Sequence, residues 1–258
     1  MKKPLIAILL ILAMAACFAA CGNDAPIEMP TSMAGILQMF NEATEKVIRL
    51  KPGYSKTRYT KVTQLDFGIL GNLPIVQESA YAFFGAESGG EGTVSYTVEK
   101  GKKSGLLRAS QWTMEDITSI SAEADGDGGY IVTLRVKDGT TRWKGTGGED
   151  PGSGTAKSSV DNGPFCYGED DSPDYDHKTA LNLYYTINHA PDSLTRDIGE
   201  TVTGAQLTAN IDSMGRLTGL TGRLDMRVDV YHVKYSYFTL SNNFGEGYGE
   251  VTYSDFRY

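Results

Sequence analysis

The residues of this 258-residue chain whose types could carry out chemistry are a cysteine, three histidines and a run of acids. Cys166 stands between Phe165 and Tyr167 in a Gly/Pro-rich stretch with no histidine beside it, so nothing local would turn the thiol into a nucleophile. His177, His189 and His232 are scattered and lack the His-x-x-x-His spacing that sets two imidazoles on one helical face. No Gly-x-Ser-x-Gly elbow occurs, and in the glycine-rich run from Gly147 to Lys157 a serine, Ser153, follows Gly152 where a phosphate loop needs lysine. Glu169, Asp170, Asp171, Asp174 and Asp176 offer oxygen ligands to a hard cation such as Ca²⁺, but their spacing fits no EF-hand and reads as a solvated loop. Asp125-Gly126-Asp127 reads as a turn. No catalytic residue, metal site or cofactor is assigned on these grounds, and the chain is expected not to be an enzyme. A dispersed carboxylate site is the alternative left open.

The cysteine with a clear chemical role is nearer the start. Lys2 and Lys3 precede an apolar run from Leu5 to Ala16, the pattern of a secretory signal, and the run is shorter than the roughly 20 residues of a spanning helix. It closes on Ala19-Ala20-Cys21-Gly22. Small residues before a cysteine resemble a bacterial lipoprotein box, which implies that residues 1–20 are removed and the Cys21 thiol carries a diacylglyceryl group. Met14-Ala15-Ala16-Cys17 also fits a box; Cys21 is preferred because Phe18 continues the apolar run and Gly22-Asn23-Asp24 begins a polar tether. A secreted protein with an incidental cysteine is the other reading. Acyl chains bury methylenes at about 0.8 kcal/mol apiece, so the resemblance implies a lipid anchor on the extracytoplasmic face of the cell membrane.

Composition narrows the partners. Processing takes Lys2 and Lys3 from 24 basic residues and nothing from 32 acidic ones, changing the net charge from −8 to −10. A nucleic-acid partner would call for a basic face, and no basic cluster draws the body onto anionic lipid. Cys166 is left as the one thiol besides the lipidated residue, so no intramolecular disulfide can form. Residues 21–31 form the tether, and residues 32–258 are long enough for one domain, or for two lobes joined through residues 144–176.

The elements that would position a site follow from periodicity. Thr31 or Ser32 caps an expected helix to Leu50, with Met33, Ile36, Leu37, Phe40, Ala43, Val47 and Leu50 at spacings of three and four, stopped by Pro52-Gly53. Tyr54 to Phe67 suits a strand with one wet face, and a short helix is expected from Pro74. Strand alternation runs through Val94-Tyr96-Val98, and two further strands flank Asp125 to Gly129 as a hairpin. Lys144 to Gly168 reads as a long loop, and His177 to Ile187 as a third short helix. Leu207, Ala209 and Ile211 lead to a turn at Ser213-Met214-Gly215. The return strand sets Leu220, Leu224, Met226, Val228 and Val230 on one side, with Arg223, Asp225, Arg227 and Asp229 on the other. Tyr231, Val233, Tyr235 and Tyr237 run out of phase with Val230, which predicts a bulge there. Tyr248 to Phe256 completes the set.

The expected fold is α+β: a strongly curved antiparallel sheet, half-barrel-like, of about eight or nine strands, wrapped around the N-terminal amphipathic helix and one or two short helices. The lipobox, Leu50-Lys51-Pro52-Gly53-Tyr54-Ser55-Lys56-Thr57 and Ile211-Asp212-Ser213-Met214-Gly215-Arg216-Leu217-Thr218 together resemble surface lipoproteins of anaerobic Gram-positive, clostridial-type bacteria. A curved sheet around helices behind a lipid anchor is similar to the LolA/LppX class of lipoprotein and lipid carriers. That likeness implies an apolar ligand inside the sheet, and the aromatic residues themselves read two ways, as core filling or as a concave face for a lipid chain, a glycan or an apolar peptide, with Phe40, Tyr231, Tyr235, Tyr237 and Tyr253 as its lining. The alternative is an interaction module with a packed interior, meeting a partner through the strip Arg223, Asp225, Arg227 and Asp229.

Overall fold

The computed structural model describes residues 26–84, 86–146, 159–164, 195–235 and 238–258. Helix α1, Met33–Leu50, begins where Ser32 Oγ accepts the Gly35 N–H at 3.1 Å and ends where Lys51 turns left-handed at φ 49° and donates its N–H to the Val47 carbonyl. Its buried stripe is Ile36, Leu37, Phe40, Ala43 and Val47, whereas Met33 and Leu50 at its two ends are exposed. Helix α2, Pro74–Phe83, starts on its proline as expected.

Eight strands form one antiparallel sheet: β1 Gly53–Asp66, β2 Glu91–Val98, β3 Ile117–Ala124, β4 Tyr130–Val136, β5 Gly139–Thr146, β6 Thr195–Ile211, β7 Leu217–Tyr235 and β8 Phe238–Arg257. The order across the sheet is β2-β1-β8-β7-β6-β4-β3. Strand β6 is long enough for two neighbours on the same side: Gln206 to Ile211 pairs with β4 and Thr195 to Val202 pairs with β5. Between those segments the register against β7 slips from Thr203–Asp225 to Gln206–Arg223, a bulge containing Gly204. Among the described residues the sheet has free edges at β2, β3 and β5, so the fold is α+β with an open sheet.

One sheet face is apolar. Val132, Leu134, Leu207, Leu220 and Tyr253 are nearly or wholly inaccessible and form a single cluster with Phe40 and Ala43 of α1. Phe84, just beyond α2, joins Ile198 of β6 and Val228 and Val233 of β7 in a second cluster further along the sheet, and Met226 packs against both. The loop after β2 closes the first cluster: Trp112 stacks on Phe40 at 5.8 Å and donates its indole N–H to the Ser159 carbonyl, while Asn41 Nδ2 donates to the Trp112 carbonyl.

Several sequence expectations change. Strand β5 covers residues to which no element was assigned, and its last three, Lys144 to Thr146, fall where a loop was expected. Its Gly139, Gly145 and threonines give no apolar alternation, and its pairing with β6 supplies what the local pattern lacks. Strands β6 and β8 extend well beyond the alternating segments that revealed them. In β1, Lys56 and Arg58 share the inner side with Tyr54 and Thr60 rather than the wet face; Lys56 is buried, its ammonium 5.5 Å from the centroid of the Tyr253 ring. The bulge expected near Val230 is present, with Ile198 opposite Val230 and Asp197 opposite His232, so that Tyr231 is the extra residue. In the Asp125–Gly129 hairpin turn, Gly126 at φ 89° and Gly128 at φ 87° take the left-handed conformations the turn needs. The signal segment, residues 147–158, the acidic run, Cys166 and the expected third helix lie outside the described residues.

Candidate interaction surface

The five aromatic residues expected to line a ligand site are not gathered around one space. Phe40 and Tyr253 are interior, and the Tyr253 hydroxyl donates to the Leu106 carbonyl at 2.7 Å and lies 3.3 Å from that of Pro164. Tyr231 is exposed on the opposite side of the sheet, its ring packed over Gly199, where a Cβ would come within 2.9 Å of the ring. Tyr235 ends β7 opposite Phe238, and Tyr237 lies outside the described residues, as does Cys21. Asp125 Oδ1 is occupied as a turn acceptor by the Asp127 and Gly129 N–H groups, and no group of three or more potential metal ligands gathers among the described residues.

The polar sheet face carries the organised chemistry. Strict alternation along each strand projects a row of side chains across all the strands it crosses. One row reads Ser121, Thr133, Thr208, Thr221, Thr252, Thr57 and Ser95, each directly opposite the next through β3, β4, β6, β7, β8, β1 and β2. Where two of these side chains meet, Thr57 Oγ1 and Ser95 Oγ are 3.2 Å apart. The adjacent row is Ser119, Arg135, Gln206, Arg223, Glu250, Tyr59 and Thr93. Beside the β6 bulge a groove of about 540 Å³ opens on this face, its polar lining including Gln206, Thr208, Thr221, Arg223, Glu250 and Thr252.

Three arginines along the same face each cover an aromatic ring while pairing with carboxylates. Arg223 lies 4.0 Å from the centroid of the Tyr248 ring, with Nη1 donating to Glu250 at 3.0 Å and Nη2 3.5 Å from Asp225. Arg227 lies 4.0 Å over Phe244, bonded to Asp229 at 2.9 Å and to Glu246. Arg142 lies 4.1 Å over Tyr231 and grips both Asp197 oxygens, at 2.6 and 2.8 Å. Hydrogen bonding to Asp229, then to Glu246, raises Arg227 above its ordinary value, and Asp197 does the same for Arg142. At the β1–β2 edge the Lys61 ammonium and then the Tyr59 hydroxyl hold the Glu91 carboxyl below the usual range. Planar cations locked between rings and acids form a stiff, solvent-facing array with paired charges.

Sequence reasoning picked out Arg223, Asp225, Arg227 and Asp229 as an outer strip, and they are its centre. It missed Arg142, Phe244 and Tyr248 as ring and cation partners. Their one local signal was the Tyr248–Phe256 alternation, and β5 carried none.

Comparison of the chain with protein-family models, with curated proteins and with solved structures finds no match.

Proposed function

We propose that this chain is a lipid-anchored, non-enzymatic extracytoplasmic protein that acts as an interaction module through its polar sheet face. The observation that carries the reading is the set of arginine–aromatic rungs, Arg223 on Tyr248, Arg227 on Phe244 and Arg142 on Tyr231. Arginine and tyrosine are the residue types that anchor protein interfaces, and here they are held in place before any partner arrives. In this reading the sheet curves around α1, and the inner face is occupied by its own side chains: Phe40, Ala43, Val132 and Ala209 show no accessible surface. That filling favours the module over a carrier of apolar ligands, the role implied by the LolA/LppX likeness.

Anchoring at Cys21 would set the orientation. Ile27 N–H donates to the Ser213 carbonyl at 2.7 Å, docking the tether beside the β6–β7 turn. Ile27 lies six positions on from Cys21, and an extended chain of that length reaches at most roughly 20 Å. The turn end of the sheet would therefore face the membrane, leaving the polar face broadside to the surroundings. Among the described residues no helix is long and apolar enough to cross a membrane, and attachment in this reading rests on the acyl group.

The test has two parts. Mass spectrometry of the processed N-terminus should find a diacylglyceryl adduct on Cys21, and Cys21→Ser should release the protein into the medium; an unmodified Cys21 on a retained protein refutes the anchor. Crosslinking on intact cells should capture partners that Arg223→Ala/Arg227→Ala loses; unchanged capture refutes the interaction face.

A further inference from the structure

We infer that the groove beside the β6 bulge, continued by the hydroxyl row, binds an extended, uncharged polysaccharide chain. This rests on the reading of the polar face as an interaction surface and names the ligand chemistry of one part of it.

The row is more than strand propensity. Threonine favours strands anywhere, yet the neighbouring row holds only Ser119 and Thr93 as small hydroxyl residues among seven, whereas all seven positions of Ser121 through Ser95 carry one. The seven stand at the interstrand spacing of about 4.8 Å, so the row runs for roughly 29 Å. A repeating set of groups, each able both to donate and to accept, suits a repeating ligand whose own groups are hydroxyls. A single small molecule would reach only part of it.

Charge selects among extended ligands. In the groove the Arg223 guanidinium is matched by the Glu250 carboxylate at 3.0 Å and by Asp225 at 3.5 Å, so it presents no unpaired cation to an anion. The chain's net charge of −8 adds repulsion against acidic polymers. An extended peptide finds its backbone partners at a free sheet edge, β2, β3 or β5, rather than on a face whose main chain is already paired. The groove instead offers the flat amide of Gln206, the edge of the Arg223 fork and the free acceptor capacity of Glu250 beside Thr208, Thr221 and Thr252. These are groups that bond to vicinal hydroxyls.

The experiment is native electrophoresis of the full chain in non-ionic detergent, through gels cast with hydroxyethyl cellulose, dextran or polygalacturonate. Retardation is expected in at least one neutral gel and none in polygalacturonate. Thr208→Val/Thr221→Val/Thr252→Val keeps the β-branched shape without the hydroxyls and should migrate as in a plain gel. Thr208→Ser/Thr221→Ser/Thr252→Ser should remain retarded, and thermal melting of both variants checks that the fold survives. Unhindered migration of the wild type in both neutral gels, retardation only by polygalacturonate, or a valine variant retarded as strongly as the wild type would each overturn the inference. If such a result came with partner capture that still depended on Arg223 and Arg227, the glycan ligand would fall while the interaction face stood. Loss of both would bring down the broader reading as well.

Discussion

The Arg227 guanidinium lies over the Phe244 ring, 4.0 Å from its centroid, and is held by Asp229 and Glu246. The pair joins β7 to β8 diagonally, since Asp229 is the residue directly opposite Phe244. A lysine at position 227 would keep the charge and lose the planar stacking and the fork. The side chain is 40% exposed, so solvent screens both contacts. Arg227→Lys is expected to lower stability by less than about 1 kcal/mol. Urea denaturation at low and high salt checks this, and the difference from wild type should shrink as salt rises. A loss of several kcal/mol would mean that the rungs hold the fold together rather than serve the surface.

Tyr253 links the sheet to the loop that closes its core. Its ring is 1% exposed, and its hydroxyl donates to the Leu106 carbonyl at 2.7 Å across 147 residues of sequence. Tyr253→Phe keeps the ring and leaves a buried carbonyl without its donor, which costs about 1–3 kcal/mol. The urea midpoint should fall with an unchanged m-value. An unchanged midpoint would show that the hydroxyl contributes nothing, and would reopen Tyr253 as a residue kept for a ligand.

These two residues also mark what was legible in the sequence. Leu220 to Val230 alternates without a break, so strand β7, its charged side and the phase slip at Tyr231 could all be read locally. The pairing of Arg227 with Phe244 could not, because it depends on how β7 registers against β8. The hydroxyl row is the extreme case: seven residues from seven strands align only once six registers are set, and although two of those registers, Ser121–Thr133 and Thr208–Thr221, belong to local hairpins, the other four join distant segments. Strand β5 was hidden for a related reason. Thr140 and Arg142 face Thr201 and Gly199 of β6, and that pairing, rather than any apolar pattern of its own, makes the segment a strand.

Phe40 is the point at which α1 enters the core. Fully buried and stacked on Trp112, it should cost about 3–5 kcal/mol when cut to alanine. Trp112 provides the readout, being 2% exposed with its indole N–H bonded to Ser159. Phe40→Ala should lower the melting temperature strongly and shift tryptophan emission to longer wavelength as water reaches the ring. If the core were instead a ligand cavity, the same substitution would enlarge it with little loss of stability.

Alkaline pH tests the end of β8. Burial, then the nearby Asp212 carboxylate, pushes the Tyr258 hydroxyl well above its ordinary value, and that hydroxyl donates to the Leu217 carbonyl at 2.8 Å. In the unfolded chain the group ionises near a pKa of about 10. A folded-state pKa above the unfolded one means the folded protein holds this proton more tightly. The resulting stability is complete below pH of about 10 and is lost as pH rises from there toward the folded value. Wild type should therefore lose stability above pH of about 10 more steeply than Tyr258→Phe, which has no proton to release. Denaturant midpoints across that range, with tyrosinate absorbance followed in parallel, decide the matter. Parallel pH profiles for the two proteins would show that Tyr258 is solvated and that the β8 end is not closed against Leu217.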